Sequence, residues 1–298
     1  MAFSQVFPFA EPPVPLAPAE PPVPREAVYY PARLHDLPAP PRSLWVRGRL
    51  PGASERLVAI VGARAATGGG CARARALAAG LAGHGFAVVS GGAFGIDAAA
   101  HQGALDVGAA TFAVLGCGTD VVYPDRHADL FTRVIRSGGL LSEYPPGTQP
   151  RRGQFPARNR IIAALAEAVI VAEAAMRSGA LITAKLAREL GRMLLAVPGS
   201  SGTDGLVRVG HALPVESADD VLAALAGQIS QKAPAVPAAG PHASLAQAIA
   251  QGANTAALLS HRLREPLPAI LAALAEAELD GLVRRVDGAS YEVIGHAN

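Results

Sequence analysis

The stretch Phe86-Ala-Val-Val-Ser90-Gly91-Gly92-Ala-Phe-Gly95-Ile-Asp97-Ala-Ala-Ala-His101 decides the fold. A short apolar run breaks at a glycine pair, and an Ala-rich segment follows with an acid near its start. This is the pattern of a doubly buried strand, a tight turn and a helix. The unit recurs on both sides. Strands are predicted at Leu57–Val61, Phe86–Ser90, Thr111–Leu115, Ala168–Ala172 and Met193–Val197. Helices are predicted at Cys71–Ala82, Ile96–Leu105, Ala128–Arg136, Asn159–Leu165 and Ala180–Leu190. The alternation specifies an α/β fold with a mainly parallel sheet covered by helices on both faces.

Flanking segments differ in composition. Residues 1–28 read as a Pro-rich disordered tail, because proline alternates with small residues from Glu11 to Pro24 and no core can form there. Tyr29 to Leu50 regains aromatics and aliphatics and is expected to pack as an irregular lead-in, with Trp45 in a packing role. The α/β region then runs to residue 227, and residues 228–243 form a Pro/Ala linker. Residues 244–298 show helical periodicity and end in a hairpin pattern turning at Asp287-Gly288, which predicts a small winged-helix-like domain.

The chain has 298 residues, half of them hydrophobic, and a formal charge of only +2, so a nucleic-acid partner has to be argued from where the charges lie. Cys71 and Cys117 form no spaced ligand cluster, and no metal site or disulfide is expected. The N-terminal residues lack a secretory signal and no apolar run has membrane-spanning length, so a soluble cytoplasmic protein is expected.

Chemistry concentrates where the predicted strands end. Gly-rich turns follow four of them: Gly62-Ala63-Arg64, Ser90-Gly91-Gly92, Gly116-Cys-Gly118 and Pro198-Gly199-Ser-Ser-Gly202. On one edge of a parallel sheet they are expected to present backbone N–H groups to anions. A dinucleotide is excluded, because the first turn is not G-x-G-x-x-G and the second strand ends in Ser90-Gly91 without a ribose-binding acid. Between Arg151 and Arg192 eight Lys or Arg face three acids. Within this cluster, Arg152-Gly-Gln-Phe155-Pro-Ala-Arg158-Asn159-Arg160 sets an aromatic among guanidinium groups. Two readings stand: a solvated basic loop, or a site where Arg neutralises phosphates and Phe155 stacks on a base. Asp97 and His101 share a helix face and are expected to form a structural hydrogen-bonded pair, since no nucleophile or second carboxylate accompanies them.

The string Ser90–Leu105 resembles the signature of the DNA-processing protein A family (DprA, also called Smf). The resemblance continues through Val121-Val-Tyr-Pro124, Leu141-Ser-Glu143, Phe155-Pro-Ala-Arg-Asn-Arg-Ile-Ile162, Glu173, Ser178-Gly-Ala-Leu-Ile-Thr-Ala184 and Ala196-Val-Pro-Gly199. It covers Tyr29 to about Leu225. It implies an extended Rossmann-like fold that binds single-stranded DNA without a cofactor, forms a homodimer, and loads the RecA recombinase onto DNA covered by single-strand-binding protein, a competitor, during natural transformation. The DNA-contacting positions it implies are Arg64, Arg152, Phe155, Asn159 and Arg160. Gly62, Ser90, Gly91, Gly92, Arg158, Gly199 and, from charge and position, Lys185 complete the candidate DNA-binding set, and no catalytic residue is expected. Two departures stand out: Ala63 where the family usually has Ser, and Asp204 where it usually has Asn, a carboxylate that weakens phosphate binding if it points inward.

Two other functions compete. A LOG-like nucleotide phosphoribohydrolase needs a catalytic Glu where this chain has Leu206, and leucine does no acid or base work. A double-stranded DNA regulator would read the groove with the helix near Leu267–Leu279, but that helix carries Glu276 and Glu278. Arg284 and Arg285 in the expected wing are candidates for phosphate contact.

Overall fold

The computed structural model describes residues 21–227, 242–250, 252–280, 282–287 and 290–293. Leu57, Ala59 and Val61 pack into one apolar cluster, whereas Val58 and Ile60 between them pack into another. That alternation places their strand in the middle of a sheet with both faces covered. Each such side chain taken from water contributes roughly 1.5 to 3 kcal/mol, which outweighs the weak strand preference of alanine.

The strands are β1 (Val23–Pro24), β2 (Ser43–Gly48), β3 (Arg56–Gly62), β4 (Phe86–Ser90), β5 (Thr111–Val114), β6 (Gly139–Ser142), β7 (Ala168–Glu173), β8 (Met193–Ala196) and β9 (Leu213–Pro214). They form one sheet in the order β1-β2-β6-β5-β4-β3-β7-β8-β9. Neighbours from β6 to β9 run parallel, while β2 joins β6 and β1 joins β2 antiparallel. The helices are α1 (Gly68–Gly83), α2 (Ile96–Asp106), α3 (Ala128–Ser137), α4 (Gln154–Leu165), α5 (Gly179–Glu189), α6 (Ser201–Arg208) and α7 (Ala218–Leu225). The chain steps outward from β3 to β6, then α4 returns it to lay β7 on the other side of β3. In a Rossmann-like sheet this reversal opens a crevice beyond the carboxyl ends of the two central strands.

Several expectations need correction. The lead-in is not irregular: Ala32–Asp36 forms a 3₁₀ turn, and Ser43–Gly48 is a strand paired with β6. Within the expected disordered tail, Val23 and Pro24 pair with Leu44 and Ser43; residues 1–20 lie outside the described residues. Strands β6 and β9 were not predicted, being only four and two residues long. Helix α4 begins at Gln154 rather than Asn159, so Phe155 and Arg158 are helical. The earlier start is allowed because Pro156 falls in the first turn, where a missing N–H costs no helical hydrogen bond.

After the expected linker, most of which lies outside the described residues, come α8 (Ala243–Ala250), α9 (Ala256–Leu263), α10 (Leu267–Leu279) and the antiparallel pair β10 (Val283–Asp287) and β11 (Ser290–Val293). They share a core of Leu245, Ile249, Leu259, Leu274, Val283 and Tyr291. The order of helices before a hairpin agrees with the sequence; Gly288 of the expected turn lies outside the described residues. Both expected wing arginines are engaged internally, Arg284 with Glu292 and Arg285 with the Tyr291 hydroxyl at 2.6 Å. Among the described residues no helix is long and apolar enough to cross a membrane, and no group of His, Cys, Asp and Glu could hold a metal.

Candidate nucleic-acid interface

The turn after β3 carries Arg64 and is tied down from the neighbouring strand. The Ala63 N–H donates to the Glu173 carbonyl at 2.8 Å, and the Glu173 carboxylate accepts from the Thr67 N–H at 3.0 Å and the Thr67 hydroxyl at 2.6 Å. Thr67 in turn caps α1 by accepting from the Gly70 N–H at 3.0 Å. A Cβ at Gly70 would lie only 1.9 Å from a Glu173 carboxylate oxygen. The place where a nucleotide-binding fold would present amides to pyrophosphate is therefore filled by the protein's own carboxylate.

The turn after β4 is likewise occupied. The Asp97 carboxylate accepts from the N–H groups of Gly91 at 3.2 Å and Ala93 at 3.4 Å. Behind it the buried Arg158 donates to the carbonyls of Gly91 at 2.6 Å and Val114. Gly91 is required here, since a Cβ would meet the Arg158 guanidinium at 2.5 Å and the Asp97 carboxylate at 2.6 Å. Burial pushes the Asp97 carboxyl up, opposed by Arg158 and the two amides, and it pushes Arg158 down to about 10, opposed chiefly by Asp97. Gly95, at φ +74°, lets this turn approach the first one: a Cβ would lie 2.3 Å from the Ala63 carbonyl oxygen.

These contacts correct the expected set. Arg158 is 4 % exposed and braces the β4 and β5 ends from inside, with its guanidinium engaged by the Gly91 and Val114 carbonyls at the back of the cavity. Ser90 is fully buried and donates to the Ile60 carbonyl at 2.6 Å. Asp97 and His101 do not bond to each other. The His101 Nδ1 lies 2.7 Å from the Thr111 hydroxyl, which itself donates to the Val88 carbonyl. The hydroxyl proton being used, Nδ1 must donate, so Nε2 is left buried without a partner. Burial lowers His101 to about 3 and keeps it neutral. Gly199 gives its N–H to Asp204 at 2.8 Å, so Asp204 points at the turn. The backbone amides at three of the four expected anion-binding turns are thus partly taken by carboxylates.

What remains open is a cavity of about 530 Å³ at the crevice between β3 and β7, lined by Gly62, Arg64, Arg152, Phe155 and Asn159 among others. The Arg64 guanidinium lies 5.0 Å from the centroid of the Phe155 ring, and the Tyr123 ring is 5.5 Å from the same centroid. An exposed cation thereby stacks on an aromatic ring at the mouth of the cavity. Arg152 is exposed on the cavity wall, and Asn159 donates to the Gly179 carbonyl at 3.4 Å. Arg160 is turned away into a half-buried pair with Glu143, and Lys185 projects outward 3.8 Å from Glu189. Neither Lys185 nor Gly199 borders this cavity, while Gly91 and Gly92 line a smaller recess behind Phe155.

Sequence reasoning did not single out Tyr123, Ser178 or Thr183 as site residues. A Tyr before Pro in a loop leaving a parallel strand, and a helix start without an acid, were the available signals. The LOG-like reading finds Leu206 packed against the core, as a leucine there should be.

A model of the DNA recombination-mediator protein A family matches residues 23–226. A DNA processing protein DprA of Mycobacterium tuberculosis is 50 % identical over 190 residues, which cover 61 % of this chain and 49 % of that protein. The chain thus spans about half the length of that curated relative. The X-ray structure of DNA processing protein A from Streptococcus pneumoniae superposes with a TM-score of 0.64 at 42 % identity, covering 68 % of this chain and 73 % of the other. The structure of DNA processing protein A from Helicobacter pylori, which concerns that protein's single-stranded DNA binding mode, gives 0.61 at 31 % identity over 67 % of this chain and 94 % of the other. The Rossmann-like sheet, the carboxyl-edge cleft and these matches lead to one conclusion: the chain belongs to the DNA recombination-mediator protein A family.

Proposed function

We propose that the chain binds single-stranded DNA in the cleft between β3 and β7 and acts as a recombination mediator that loads RecA onto strands contested by single-strand-binding protein. Arg64 and Arg152 neutralise backbone phosphates, Phe155 and Tyr123 offer ring faces to bases, and Asn159 contributes a polar edge. Binding is salt-sensitive and nearly indifferent to sequence, because charge and stacking read no base. The protein works as a homodimer and performs no covalent chemistry, with residues 29–227 as the strand-binding domain and 244–298 as a winged-helix-like accessory. The observation that carries this reading is the Arg64 guanidinium stacked on Phe155 over an open cavity whose neighbouring turn amides are already occupied.

The test is a titration of the full chain against single- and double-stranded oligonucleotides of one sequence at two salt concentrations. Arg64→Glu is expected to weaken single-strand binding at least about tenfold at low salt, since one phosphate contact becomes a repulsion. Equal binding by variant and parent sinks the assignment. RecA loading is checked separately, by RecA filament assembly on strands coated with single-strand-binding protein; no acceleration by the chain removes that part of the proposal alone.

A further inference from the structure

The turn after β4 carries an aromatic that the strand-binding reading does not use. Phe94 is 43 % exposed, as is Tyr123, and both rings border the small recess that Phe155 and Arg64 also line. Tyr123, Phe155 and Arg64 line the main cavity as well, so Phe94 continues the same rim toward the carboxyl end of β5. The recess has a volume of about 40 Å³, room for a water or two and not for a base. What it offers a strand is its rim. Phe94 is also held in place. Of its neighbours, Ala93 gives its N–H to Asp97 at 3.4 Å, and Gly95 is pressed against the Ala63 carbonyl. The buried His127 meets the Phe94 ring in a T-shaped contact, 4.8 Å between centroids at 75°. His127 itself donates from Nδ1 to the Gly92 carbonyl at 3.0 Å and meets the fully buried Phe131 ring at 5.9 Å.

Exposed apolar side chains are ordinary when scattered, but two rings on one rim, continuous with the cleft, form a patch. A ring already ordered by its neighbours binds a ligand without the entropy cost of being fixed, and every nucleobase has a face to lay on it. The charges beside Phe94 do not prolong the cationic track. Arg126 is accompanied by Asp125, whose carboxylate accepts the Arg126 N–H at 2.9 Å, and Asp129 stands in the first turn of α3. We propose that the strand leaves the cleft over Tyr123 and that Phe94 is a further base-stacking platform, so that affinity gained beyond the cleft comes from stacking and not from charge. This rests on the strand-binding reading above and adds the direction in which the strand leaves the cleft.

The experiment titrates the full chain, Phe94→Leu, Phe94→Trp and Phe155→Leu with thymidine oligonucleotides of about 4 and about 12 nucleotides, within the range of single-strand site sizes, at about 50 and about 200 mM salt. Phe94→Leu should weaken the longer strand about fivefold to a hundredfold, the worth of one stacked base, and the shorter strand less than about twofold. Phe155→Leu should weaken both. The parent's salt dependence should be no steeper for the longer strand; a slope steeper by about 0.7 or more marks a further phosphate contact and overturns the stacking extension. Phe94→Trp should keep parental affinity, and its added indole fluorescence should be quenched by the longer strand and not by the shorter. Trp45, the one native tryptophan, lines neither cavity. Parental affinity of Phe94→Leu for the longer strand, or an equal loss at both lengths, overturns the proposal and leaves the cleft reading intact as long as the parent binds the shorter strand. A parent that binds neither strand removes both. Should Phe94→Leu fail to fold, the quenching of Phe94→Trp decides.

Discussion

The β3–α1 turn and the β7–α5 turn lie side by side on one sheet edge and border one cavity, yet they differ in what occupies them. At the first, Glu173 takes the Thr67 N–H and hydroxyl and covers the start of α1. At the second no carboxylate is present in the first turn of the helix. Where amides are already neutralised from within, positive charge at the cleft comes mainly from side chains such as Arg64 and Arg152.

The sharpest way to break the comparison is to remove the brace behind the closed side. Arg158→Met leaves the Gly91 and Val114 carbonyls and the buried Asp97 without their cation and should cost about 3 to 5 kcal/mol in urea denaturation. A loss under about 1 kcal/mol would mean that the network is dispensable. Next in size, Phe155→Leu keeps apolar volume but removes the ring under Arg64, and single-strand affinity should drop by about 1 to 3 kcal/mol in a fluorescence titration with the fold intact.

The pH dependence is smaller and has a definite sign. His101 is held near 3 in the folded protein against an ordinary 6.5, so folding disfavours its proton. Its stabilising contribution is fully present above pH 6.5 and is lost as pH falls toward 3. Between pH 7 and 5.5 the loss is about 1.3 kcal/mol by proton linkage, and His101→Gln should flatten that stretch of a stability profile. His211, lowered by burial to about 4, leaves a residual slope of the same sign. An unaltered profile in the variant would contradict the buried neutral imidazole. Smallest of all, Glu173→Gln preserves shape but not charge at α1 and should destabilise by about 1 kcal/mol. Calorimetry showing no change would mean that the carboxylate does not close that turn.

Legibility followed the physics of each region. Strands β3, β4 and β7 could be read because sheet burial on both faces demands an apolar run, and only such runs occur there. Strand β6, Gly139–Ser142, could not be read: it is four residues long and starts with glycine, and its strand character comes from pairing with β5 and β2. The basic, aromatic-bearing motif was legible as a group, but not the division of labour within it. Arg158 and Arg160 are two apart on one helix and therefore point to different sides, which the sequence does not label as inside or outside.

By itself, the sequence determined the α/β alternation, the clustering of glycine turns at the strand ends, the absence of a dinucleotide fingerprint, and the presence of Arg64 and Phe155 among the residues of the edge. Only the tertiary structure decided that Arg158 is a brace, that Asp97 and His101 serve different partners, and that Glu173 and Asp204 occupy amides a ligand would otherwise use. The reason is that periodicity and composition act along the chain. Whether a charge is free or already paired depends instead on which distant carbonyl or carboxylate the sheet brings within about 3 Å of it.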